Sequence, residues 1–131
     1  TVDEDIWREL EPGTAHPLQR LRAVKTLTEA GVRAGVLVNP LVPGFSTRRG
    51  ALSRTLEAIA DHKAAFAGMN TMYLEGGSRS HFMRFLGEAH PRLVARYERL
   101  YAKKYVARAH ADAVKRRFNA LRRKHQLEAR V

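Results

Sequence analysis

Val36-Leu37-Val38-Asn39-Pro40-Leu41-Val42-Pro43-Gly44-Phe45-Ser46-Thr47 decides how the chain is read. An apolar, partly β-branched run stops at an Asn, passes two prolines and reaches Gly-Phe before a helical pattern begins. Val32 to Val38 reads as a strand covered on both faces, as parallel strands are. Asn39 to Ser46 then reads as the loop at its carboxyl end. Pro40 and Pro43 fix φ, and Gly44 permits a tight turn or close approach of a ligand to the backbone. In α/β folds ligands collect at such loops, because the strand bodies are filled with core.

Outward from this stretch the spacing predicts helix, strand, helix, strand. Upstream, Pro17 suits a first helical position, Leu21, Val24 and Leu27 form an inner stripe, and Gly31 stops the helix. Before it, Thr1 and Glu4 have capping-box spacing for a helix over about residues 2–10, which Glu11-Pro12-Gly13-Thr14 closes as a turn. Downstream, Ser46 or Thr47 is placed to cap a helix whose Leu52, Leu56, Ile59 and Ala60 share one face. Phe66 to Leu74 reads as the second strand, ended by Glu75-Gly76-Gly77. Ser78 is placed to cap a helix carrying Phe82, Phe85 and Leu86. Pro91 restarts one carrying Leu93, Val94, Tyr97, Leu100 and Tyr101, and the last helix, from about Ala107, has Val114, Phe118 and Leu121 inside. Two parallel strands cannot close a sheet alone, so an open edge beside Val32–Val38 is expected.

The chain has 131 residues, 44% of them hydrophobic, enough for one modest core. No apolar run nears the roughly 18 residues needed to cross a bilayer, so a cytoplasmic protein with no membrane partner is expected. Cys is absent, which removes disulfides, Cys-ligated zinc and iron–sulfur ligands from this chain. Histidines 16, 62, 81, 90, 110 and 125 show no zinc-type spacing, and no metal ligand is assigned.

The net charge is +11, and +10 of it lies in residues 92–131. Lys115-Arg116-Arg117 and Arg122-Arg123-Lys124 are seven apart, so the spacing predicts one basic face on the last helix. Such a face suits a phosphate backbone, and nucleic acid is therefore a candidate partner. Phe118 lies on the inner stripe and not among the cations, which argues against base stacking. A division into residues 1–90 and a basic helical extension, 91–131, follows from this charge asymmetry.

Leu10-Glu11-Pro12-Gly13-Thr14, Arg20-Leu21, Glu29-Ala30-Gly31 and Val36 to Gly44 together resemble the C-terminal half of radical S-adenosylmethionine (SAM) enzymes of the spore photoproduct lyase-like group. His81-Phe82, His90-Pro91 and Arg96-Tyr97-Glu98-Arg99-Leu100-Tyr101 are similar to the same group. The match covers roughly residues 1–105. It implies an α/β fold: the C-terminal part of a six-stranded, TIM-like partial barrel, with Val32–Val38 as fifth strand and Phe66–Leu74 as sixth. It implies SAM as cofactor, its adenine against Leu41, Val42, Pro43 and Gly44, with Asn39 and Tyr73 at the two strand ends beside it. Arg20 or Arg22 would approach the SAM carboxylate, and Glu75 stands where substrate or cofactor passes. Pro40 and Thr47 replace the Gly and Glu commoner in that loop.

The cysteine motif for a [4Fe–4S] cluster is absent, so the cluster-binding N-terminal half is expected to precede Thr1 in the same polypeptide. No catalytic residue is assigned within these residues. The competing expectation is a non-catalytic basic helical module that binds nucleic acid through its last helix.

Overall fold

The computed structural model describes residues 1–130. It is a mixed α/β structure with a three-stranded, all-parallel sheet in the order β1-β2-β3. The elements follow as α1 (Glu4–Leu10), α2 (Pro17–Glu29), β1 (Val36–Leu41), α3 (Arg49–Asp61), β2 (Phe66–Thr71), α4 (Gly76–Ala89), α5 (Val94–Leu100), α6 (Arg108–Lys124) and β3 (Glu128–Ala129). A 3-10 turn over Pro91–Leu93 leads into α5.

Helix starts are set by side chains other than those expected. Asp3, not Thr1, caps α1: its Oδ1 accepts from the Ile6 N–H at 3.2 Å. That bond, reinforced by Arg54, holds the Asp3 carboxyl below its usual range. Glu4 reaches no cap and pairs with Arg8 and His16. Helix α2 begins at Pro17 as expected, with Nδ1 of His16 accepting from the Leu18 N–H. Gly31, at φ +87°, ends it, and the Val32 N–H returns to the Leu27 carbonyl. Ser78 lies inside α4, whose cap position is Glu75.

Strand β1 starts and ends later than its apolar run suggests, beginning at Val36 and continuing through the cis Asn39-Pro40 bond to Leu41. It pairs with β2 as Val36 to Ala67, Leu37 to Gly68 and Val38 to Met69; the register shifts before Leu41 meets Thr71. Because Pro40 has no N–H to give the ladder, an irregularity there is expected. Strand β2, by contrast, ends earlier than expected, at Thr71.

One sheet face is packed. Val38, Leu41 and Ala67 meet Leu52, Leu56 and Ile59 of α3 and Val114 and Phe118 of α6, with Leu21 and Leu127 at the margins. The other face is open: Leu37 is 43% exposed, and Asn39 and Asn70 are exposed beside it. The expected cover on both faces is therefore not supplied by these residues. Leu27 and Val32 are also about half exposed.

A second cluster joins Val42, Phe45 and Leu74 of the strand-end loops to Ile6, Leu86, Tyr97, Tyr101 and Val106. Both clusters draw on residues either side of position 90. Among the described residues no helix is long and apolar enough to cross a membrane.

Candidate functional site

The corner after β1 is fastened by its own hydroxyls. Ser46 and Thr47 are buried and do not cap α3, which starts at Arg49 with Arg48 at its cap position and no side-chain cap. Instead Oγ of Ser46 accepts from the Val42 N–H at 2.7 Å, and Oγ1 of Thr47 accepts from the Gly44 N–H at 3.0 Å. The Phe45 N–H donates to the Val42 carbonyl. From outside, the Tyr97 hydroxyl donates to the Pro43 carbonyl at 2.5 Å, Nε of Arg48 to the Gly44 carbonyl, and Nη2 of Arg117 to the Thr47 carbonyl. Most of the corner's main-chain polar groups are thus engaged within the protein.

Gly44 sits at φ +78°, where a Cβ is unfavourable although it would meet Leu93 and Arg96 only at ordinary van der Waals distances. Gly44→Ala is expected to lower stability by about 1–2 kcal/mol through backbone strain alone. A melting temperature equal to that of the parent would show that the turn relaxes freely.

A groove of about 560 Å³ runs beside β1. Its floor is Val36 to Pro40 with Val42, and its walls come from α1, α2 and, through His81, Phe82 and Phe85, from α4. Arg20 lies at its rim, 3.4 Å from Glu11, whereas Arg22 does not line it. A second, shallower hollow lies at the carboxyl ends of both strands, between Asn39, Pro40, Asn70, Thr71, Tyr73 and Tyr105. Tyr73 and Tyr105 are exposed, with ring centroids 5.8 Å apart.

The residues expected to contact a nucleoside are only partly brought together. Asn39 faces both hollows and Val42 lines the groove. Leu41 and Pro43 do not: both are fully buried, Leu41 in the core below the sheet and Pro43 beneath Tyr97. The register shifts before Leu41, which is buried like Val38, and Leu41 packs into the core cluster with Leu52 and Leu56. Gly44 lies against Leu93 and Arg96, outside the groove. Tyr73 belongs to the second hollow, and Glu75 is an exposed residue before α4. Pro40, expected to stiffen the loop, lines both hollows, while Phe85 and Tyr105 reach a cavity through tertiary packing that no local pattern marks.

The basic face of α6 also contracts. Arg117 turns inward to Thr47, and Arg122 inward to the Leu127 carbonyl at 2.9 Å. Lys115, Arg116, Arg123 and Lys124 are left in solvent. Among the described residues no group of three or more His, Asp or Glu gathers at metal-binding distances.

No protein-family profile matches the chain, and no solved structure matches it. It is similar to mycobacterial proteins, among them "Uncharacterized protein Mb2609c" of Mycobacterium bovis and "Uncharacterized protein Rv2578c" of Mycobacterium tuberculosis. Each is 31% identical over 126 residues, which cover 95% of this chain and 37% of the relative. The chain spans little more than a third of the length of the curated relatives it matches.

Proposed function

We propose that these residues are the C-terminal portion of a radical SAM enzyme of the spore photoproduct lyase-like group, and that the groove beside β1 receives the nucleoside of SAM. The observation that carries this reading is the groove's position. It follows the free edge of an all-parallel sheet and reaches the carboxyl end of β1, where ligands of α/β folds lie.

The residues present fit the nucleoside. The cavity is of the size that small-molecule sites have, roughly 300–1,000 Å³, and is lined mainly by apolar side chains with a few polar groups. Pro40, Val42 and Phe85 offer apolar contact to a ring. Beside the main-chain groups on the free edge of β1, the Asn39 carboxamide is placed to read the ring's edge. Arg20, at the rim, offers a cation to the cofactor's carboxylate. A partial barrel would pair a further strand from elsewhere in the polypeptide with the body of β1, leaving to the nucleoside the part of the groove at the strand's carboxyl end, around Asn39, Pro40 and Val42.

A [4Fe–4S] cluster would be held by cysteines outside this chain, which has none. Together with SAM it supplies the radical chemistry; these residues bind and orient the nucleoside and keep water from it.

The test is SAM binding by the complete, iron–sulfur-reconstituted polypeptide. Saturable binding is expected, and Asn39→Ala, at an exposed position, should weaken it about 3- to 10-fold, the equivalent of one hydrogen bond. Failure to bind SAM, or identical binding by the variant, overturns the assignment.

A further inference from the structure

The outer side of the corner is positively charged, and the groove does not involve it. Three helical segments send an arginine to the turn Gly44–Thr47. Arg48, before α3, donates from Nε to the Gly44 carbonyl at 2.6 Å. Arg117 of α6 donates from Nη2 to the Thr47 carbonyl at 2.8 Å. Arg96 of α5 brings Nη1 within 3.9 Å of the point where a Cβ on Gly44 would stand. None of the three lines the groove.

Among the described residues none of these guanidinium groups pairs with a carboxylate. A guanidinium has five N–H donors, so one bond to a carbonyl leaves most of them unused. His110 of α6 lies in the field of two of these cations. Burial first, and then Arg96 and Arg117, push its imidazole below the usual value, and its buried Nε2 has no hydrogen-bond partner. Uncompensated like charges at one turn repel, and an anion is what relieves them.

We propose that Arg48, Arg96 and Arg117 form a binding site for a phosphate group on the side of the corner away from the groove. A tetrahedral dianion presents several oxygens to forks arriving from different helices, whereas a carboxylate presents two in one plane. The shared chemistry is a phosphate, either on a small molecule or in a nucleic-acid backbone. The site does not depend on the SAM reading.

His110 is the reporter. In the full chain its ring signals, followed by NMR while inorganic phosphate is added at constant ionic strength, should shift to saturation. Its pKa should rise, because a bound anion offsets the two arginines. Arg96→Gln removes a group that makes no hydrogen bond among the described residues, so the fold should persist while phosphate affinity falls about tenfold. Arg48→Gln should act in the same direction.

A short oligothymidylate distinguishes the sources. Tighter binding than inorganic phosphate, with the gain lost in Arg96→Gln, assigns the site to a nucleic-acid backbone. Binding no tighter than inorganic phosphate assigns it to a phosphorylated small molecule. A linear drift without saturation, or equal phosphate affinity in Arg96→Gln and the parent, overturns the proposal.

Discussion

Truncating Phe118 to alanine is expected to cost about 3–5 kcal/mol and to unfold the sheet together with the terminal helix. Phe118 is 1% exposed and shares a cluster with Val38, Leu41, Leu52 and Leu56. The lost ring would leave a cavity bounded by β1 and α3, not only by α6. Since small domains hold about 5–15 kcal/mol in total, the loss takes a large part of the stability. Urea unfolding with amide exchange at Val38 and Ala67 measures it. If residues 91–131 were a separable extension, exchange would rise in α6 while β1 and β2 kept their protection. The packing predicts instead that all three lose protection together.

The sequence made the main elements legible where one local rule decides them. Leu52, Leu56 and Ile59 recur at helical spacing and are buried, and Pro17 and Gly31 bound α2 as their backbone preferences require. The parallel pairing of β1 with β2 followed from a strand-helix-strand order. Strand β3 has two residues, too few for any periodicity to show, and it exists because Glu128 and Ala129 find the free edge of β2. The exposed face of β1 could not be read either. An apolar run of this kind looks the same whether or not the other side is covered.

At the candidate site the failures have one cause. Strict alternation would put Asn39 and Leu41 on the same face, and the register shift at Pro40 separates them. Ser46 and Thr47 carry hydroxyls suited either to capping α3 or to closing the corner. Where the chain turns decides between those uses, and the turn comes early enough that both close the corner. Likewise Arg117 and Arg122 belong by spacing to a solvated stripe, yet unpaired carbonyls at Thr47 and Leu127 draw them inward.

Raising the pH above 10 is expected to remove stability at a rate that climbs toward about 2.7 kcal/mol per pH unit, the sum from two buried tyrosines. Tyr97 and Tyr101 stack at 5.5 Å, and each hydroxyl donates to a strand-end loop: Tyr97 to the Pro43 carbonyl, Tyr101 to the Met72 carbonyl at 2.6 Å. An ionised phenol could not donate these bonds and would sit desolvated against its neighbour. Burial therefore drives both groups well above their ordinary value near 10, and for Tyr97 the adjacent Tyr101 adds to the rise. The sign follows directly: above pH 10 the unfolded chain releases both protons while the folded chain keeps them, so unfolding gains with every added unit. Each tyrosine contributes half of the slope. Urea midpoints at about pH 9, 10 and 11 should be nearly level over the first interval and fall over the second. Tyr101→Phe should halve the fall, and the double phenylalanine variant should abolish it at a lower starting stability, because a buried and a part-buried carbonyl lose their donors. A decline that persists undiminished in the double variant would mean that other groups titrate, and that the two loops are not held to α5 and its cap residue through protonated phenols.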